Sequence, residues 1–144
     1  METPIVTAVI ALFGSLLAAA ITYWFTKRRE REAEWRKEKL AHYKMFIESL
    51  SGVVEGDASP DGHKEFAKAT NNLLLFAPQS VIAALNDFRF EIRISNTNRT
   101  SERHDHLLAV LLLAIRRDIG VSPEDEADAF KPILWTSGAG KDAS

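Results

Sequence analysis

The sequence predicts an all-α protein, with one N-terminal transmembrane helix continuing into a cytosolic four- to five-helix bundle. Three observations predict it. An uncharged apolar run covers Ile5 to Phe25. No Gly or Pro occurs between Gly14 and Gly52, so no residue there breaks a helix. Downstream, apolar residues recur at helical spacing in blocks separated by stretches rich in Gly, Pro and Asn. Residues 1–26 read as a transmembrane anchor and 27–55 as a juxtamembrane stalk entering the bundle. Residues 56–135 read as a cytosolic helical domain, and 136–144 as a flexible tail.

The apolar run holds 21 residues. At a rise of 1.5 Å per residue it covers about 31 Å, close to the ~30 Å of a bilayer's hydrocarbon core. Thr3-Pro4 is a natural N-cap and N1 pair. Tyr23 and Trp24 lie where an interfacial aromatic belt belongs, and Lys27, Arg28, Arg29 and Arg31 follow. By the positive-inside rule the C-terminal side is cytoplasmic, which gives a single-pass protein of the inner (cytoplasmic) membrane with its N-terminus outside. A cleaved signal peptide is the rival reading, with Ala18-Ala19-Ala20 as a cleavage site. Glu2, the lack of Lys or Arg ahead of the run, and the run's length favour an anchor.

At about 100° per residue, Thr7, Ala11, Gly14, Ser15, Ala18 and Thr22 share one stripe of this helix. Val6, Val9, Leu12, Phe13, Leu16, Leu17 and Trp24 lie outside it. Small residues let helix backbones approach, and hydroxyls can bond across the contact, so the stripe is the candidate oligomer or pore-lining surface. The alternative is that the hydroxyls bond to their own helix.

The net charge of −2 hides an asymmetry. Residues 27–44 carry eight Lys/Arg against four Glu, whereas downstream of Lys44 ten basic residues face fifteen acidic ones. An acidic distal domain lacks the basic face that broad nucleic-acid binding needs. With no cysteine in the chain, disulfides, thiolate metal sites and Cys nucleophiles are excluded. The basic stalk could touch anionic headgroups, although Glu30, Glu32, Glu34 and Glu38 halve its charge.

The remaining elements follow in order. The first helix reaches from Pro4 to about Val54, with Leu40, Tyr43, Ile47, Leu50 and Val54 as its apolar face. Gly56 to Gly62 reads as a loop. Helix two runs from Pro60 or His63 to Phe76, with Phe66, Ala69, Leu73 and Phe76 or Ala77 inward. Pro78 starts helix three, which continues to about Ile94 through Val81, Leu85, Phe88 and Ile92. The alternation in Phe88–Ile94 also suits a strand, but no partner strand is evident. Helix four spans about Glu102 to Ile119, capped by Ser101, with Leu108, Leu111, Leu112, Ile115 and Ile119 inward and Gly120 at C′. Ser122-Pro123-Glu124-Asp125 predicts a fifth, short helix ending by Pro132, after which Ile133-Leu134-Trp135 packs back on the bundle.

Candidates for chemistry are few. Arg99 and His104 form an R-x4-H pattern, extended to R-x6-H by His106. With ten Arg and four His in 144 residues, about one such match arises by chance, and Arg36 to His42 supplies a second. A polar helix start explains the residues equally. His104-Asp105-His106 could suggest a metal site, but neighbours on a helix diverge and no second cluster of ligands is evident apart from lone His63, so no metal and no cofactor are expected. Arg116-Arg117-Asp118, near a helix C-terminus, suits the macrodipole or a partner. The Asn98-Arg99-Thr100 sequon is idle in the cytoplasm. No Gly-rich phosphate loop and no catalytic triad are present.

The runs Leu73–Leu85 (LLLFAPQSVIAAL) and Leu113–Gly120 (LAIRRDIG) resemble a loosely defined group of bacterial single-pass proteins with a cytosolic helical domain. With its R-x4-H match, the layout is also similar to the small membrane accessory proteins of type VI-B CRISPR systems, which carry a degenerate HEPN-like motif. That resemblance implies a membrane-anchored homo-oligomer, a pore-forming or membrane-perturbing effector or accessory in antiviral defence. HEPN ribonucleases use Arg and His across a dimer, so the enzymatic alternative is a membrane-tethered ribonuclease with Arg99 and His104 catalytic. The third possibility is a non-catalytic adaptor holding a protein or RNA–protein partner at the bilayer.

Overall fold

The computed structural model describes residues 3–53 and 58–134. Among them are four α-helices and no strand: α1 (Thr3–Leu50), α2 (Pro60–Phe76), α3 (Gln79–Glu91) and α4 (Ser101–Asp118). The segment with the strand-like alternation is therefore helical to Glu91. The chain divides into two compact units, one ending at Glu38 and the other beginning at Lys39.

The first unit is the greater part of α1, and every residue from 3 to 38 in it is exposed. This helix is long and apolar enough, by length and composition, to cross a membrane. Its apolar side chains have no core of their own: Ile10, Leu12, Phe13 and Leu17 are each at least 60% exposed.

The second unit is a helical bundle built on one apolar core. Tyr43, Phe46 and Leu50 of α1 meet Phe66, Ala69 and Leu73 of α2, Val81, Leu85 and Phe88 of α3, and Leu108, Leu111 and Ile115 of α4. Phe46 stacks toward Phe66 while His42 lies flat on Phe76, with centroids 5.9 and 4.1 Å apart, so α1 and α2 run antiparallel. Phe88 at the end of α3 faces His104 at the start of α4, which makes that pair a helical hairpin.

The face that α1 buries differs from the one its apolar periodicity predicts. Tyr43 and Leu50 are inward as expected, but Leu40 and Ile47 are 44% and 38% exposed. Phe46, fully buried, takes the central place, flanked by half-buried His42 and buried Ser49. A large aromatic ring removes more surface from water than Leu40 or Ile47 does, and this sets the rotation of the helix. Val54 lies outside the described residues.

The helix ends have clear causes. Ser59 caps α2, its hydroxyl accepting from the Gly62 N–H at 3.0 Å, with Pro60 at the first helical position. The loop expected over 56–62 therefore ends at Ser59, and Pro60 to Gly62 are the first turn (56 and 57 lie outside the described residues). Helix α3 stops three residues before Ile94, because the Asn96 amide bonds the Glu91 carbonyl at 2.9 Å. Thr100, not Ser101, caps α4, accepting from the Arg103 N–H at 3.2 Å. At its far end Gly120 has φ 71°. The Val121 N–H reaches the Arg116 carbonyl and the Gly120 N–H reaches that of Arg117, the paired bonds of a Schellman motif.

The fifth helix does not form among the described residues. Between Ser122 and Leu134 there is a single turn, with the Ala129 and Phe130 N–H groups on the Glu126 carbonyl. One turn bounded by Pro132 cannot recover the cost of helix nucleation, and Asp125 is held elsewhere, by Arg116. Leu134 packs against the core, Ile133 is 80% exposed, and Trp135 lies outside the described residues.

Candidate functional site

On α1 the small-residue stripe is fully exposed, as is the rest of that segment. The Thr7 hydroxyl donates to the Thr3 carbonyl at 2.9 Å and the Ser15 hydroxyl to the Leu12 carbonyl at 2.8 Å, so both are bonded within their own helix. Beside Gly14 the surface is open, since a Cβ there would meet nothing within 4 Å. What the stripe offers is therefore close backbone approach at Gly14, with Ala11 and Ala18 one turn either side.

A notch follows the apolar segment, lined by Tyr23, Trp24, Lys27, Arg28, Arg31 and Glu32. The Arg28 guanidinium lies 5.6 Å from the centre of the Trp24 ring, and its Nε donates to Glu32 at 3.0 Å. The Lys27 ammonium pairs with Glu30 at 2.8 Å. Both pairs are about half exposed, so each contributes little to stability.

In the second unit the polar groups converge at three nodes, all structural in chemistry. Asp118 accepts from the Tyr43 hydroxyl at 2.6 Å and from the Lys39 ammonium at 3.0 Å, joining the end of α4 to α1. Burial, then the bond to Asp118 and its charge, pushes the Tyr43 phenol well above its ordinary 10.0. Arg116 grips Asp125 with two bonds of 2.6 and 2.9 Å, while Arg117 pairs with Glu124 at 3.3 Å. The Arg116 fork holds the Asp125 carboxyl below its usual range against a smaller opposing effect of desolvation. Arg116, Arg117 and Asp118 are thus each engaged within the chain.

The third node is Glu91, whose side chain is only 5% exposed. It accepts from Arg103 Nε at 3.1 Å, Asn96 Nδ2 at 3.3 Å and the Thr100 N–H at 3.4 Å, pinning the α3–α4 connection. The open polar groove beside it is lined by Asp87, Phe90, Asn98 and Leu107 as well. Sequence reasoning missed Glu91. Its only signal was a carboxylate on the inward phase of helix three.

Arg99 and His104 lie in different local settings. Arg99 is an exposed loop residue ahead of the α4 cap, whereas His104 is in the first turn. One ring nitrogen of His104, Nδ1, lies 3.0 Å from Asp105, and its ring faces Phe88. His63 is on α2, its Nδ1 2.8 Å from the Ser59 carbonyl. No group of three or more His, Cys, Asp or Glu that could hold a metal occurs among the described residues.

No family model matches the chain, nor does any curated protein or solved structure.

Proposed function

We propose that this is a single-pass membrane protein in which Ile5–Phe25 spans the cytoplasmic membrane, the helical bundle lies in the cytoplasm, and copies associate through the stripe centred on Gly14. One observation carries the reading. The bundle gathers its buried residues into one apolar core, yet α1 leaves a 21-residue uncharged run exposed throughout, of the length that a lipid bilayer covers. Since the Thr7 and Ser15 hydroxyls donate within their own helix, self-association through the stripe draws first on close packing at Gly14. Pore formation and a place in antiviral defence, which the family resemblance implies, extend this reading and depend on the oligomer.

The experiment is membrane extraction followed by intact-mass measurement and crosslinking. A mass of 16.1 kDa in the membrane fraction is expected; a shorter chain would mean a cleaved leader and end the anchor reading. Gly14→Leu should weaken crosslinking by an amount equivalent to about 1–3 kcal/mol per contact, on the scale of overpacking. Leu16→Ile, outside the stripe, should leave it unchanged. Equal crosslinking in Gly14→Leu and wild type would remove the stripe as the interface. Alkaline phosphatase activity outside the cytoplasm from a fusion after Ser144 would reverse the orientation, and conductance of the reconstituted oligomer tests the pore.

A further inference from the structure

We infer that the notch at the end of the apolar segment of α1 is a docking site for the headgroup of an anionic phospholipid. The inference rests on the membrane-spanning reading above and adds to it a lipid preference with named residues. Two i, i+4 ridges form the notch. Tyr23, Lys27 and Arg31 make one ridge, and Trp24, Arg28 and Glu32 make the other. Each begins with an aromatic residue that has a polar edge, at the height of the membrane interface. Each then places a cation one turn, about 5–6 Å, further out, at the depth of lipid phosphates.

The order of charge within the ion pairs supports this. In Lys27–Glu30 and Arg28–Glu32 the cation precedes the acid along the chain. An isolated helix prefers the reverse order, acid before cation. Helix stability therefore does not account for the arrangement, whereas a membrane does, because each pair turns its positive end to the bilayer and its negative end away. Arg31, on the first ridge, has no ion pair among the described residues, and Arg28 spends only its Nε on Glu32. Both leave guanidinium donors to face a phosphate. The Trp24 ring under Arg28 holds that guanidinium over the interface.

The test uses the full chain with Trp35→Phe and Trp135→Phe, so that Trp24 is the remaining tryptophan of three. It is reconstituted in vesicles of phosphatidylcholine and phosphatidylglycerol at fixed composition, with acyl-chain bromine carried by one lipid or the other. Brominated phosphatidylglycerol should quench Trp24 beyond its mole fraction, with a local enrichment of about fivefold, the effect of one cation at an anionic surface. Lys27→Gln/Arg31→Gln should abolish the excess. Arg36→Gln/Lys37→Gln removes the same charge further along the helix and should preserve it. Equal quenching by both lipids, or loss of the excess in the distal variant as well, would overturn the headgroup site while leaving the span intact. Absence of quenching by either lipid would overturn the span itself.

Discussion

The Tyr43–Asp118 bond is the contact most open to measurement, because both partners are shielded and the acceptor is charged. Tyr43 is 2% exposed, and the side chain of Asp118 is 14% exposed. A hydrogen bond to a charged group contributes about 1.5–3 kcal/mol, so Tyr43→Phe should cost about that much, Asp118 keeping Lys39. Asp118→Asn leaves an acceptor for the phenol but strips the counterion from Lys39, for about 1–3 kcal/mol. As the two residues share one bond, the double variant should fall short of the sum by about 1–2 kcal/mol. Urea unfolding followed by circular dichroism, on the full chain in mild detergent, reads all three. A loss of 2 kcal/mol corresponds to about 8–16 °C in Tm for a domain of this size. The pH dependence supplies a second readout. The phenol is raised above its ordinary 10.0 in the folded state, so its contribution is whole below that value and is lost as pH climbs past it. Wild type should therefore lose stability above pH 10 more steeply than Tyr43→Phe. Strict additivity of the two substitutions, with parallel alkaline profiles, would refute the account.

Further outcomes test the rest of the bundle by the same unfolding assay. Phe46→Ala should cost about 3–5 kcal/mol and Ile47→Ala under about 1, since Phe46 is fully buried and Ile47 is 38% exposed; the opposite ranking would restore the face that periodicity predicts. Thr70→Val should be neutral or stabilising by up to about 1 kcal/mol, because the Thr70 hydroxyl is buried without a bonding partner. Gly62→Ala should cost about 1–3 kcal/mol despite alanine's better helix propensity, as its Cβ would overlap the Gly52 carbonyl oxygen. Hydrogen exchange at Ser59, whose N–H bonds that same carbonyl at 3.3 Å, should quicken in the Gly62→Ala variant.

What the sequence makes legible depends on whether a signal is local. The start of α2 at Pro60, the earlier of the two expected, and the end of α4 at Gly120 are each written within four residues of where they act. The rotation of α1 was not legible. Leu40, Ile47 and Met45 compete with Phe46 in the pattern, and the inner face also admits polar residues such as Ser49. Which face wins depends on Phe66 and Phe76, set on another helix. The absent fifth helix has the same cause, since Asp125 reads locally as a first-turn acid until Arg116 claims it. For the candidate site, the apolar run and its aromatic and basic flank could be read directly. The direction of the ion pairs and the self-bonded hydroxyls required rotamers. The Asp118 node joins residues 75 and 79 positions apart, a distance over which no sequence pattern extends.

Three successive residues, Arg116, Arg117 and Asp118, hold different partners: Asp125 for the first, Glu124 for the second, and Lys39 with Tyr43 for the third. Neighbours on a helix point about 100° apart, so the last turn of α4 works like a keyed shaft, its teeth cut at fixed angles. Replacing one tooth spoils one fit. Inserting a single residue between His104 and Ile115 turns the whole key by one notch and presents Arg117 where Asp118 belongs, a cation set against Lys39. Length in this helix is therefore constrained more tightly than composition. Substitutions along its outer face, at Val110 for example, leave every partner in place, whereas a one-residue slip would undo the bond to α1 and both bonds to the following segment together.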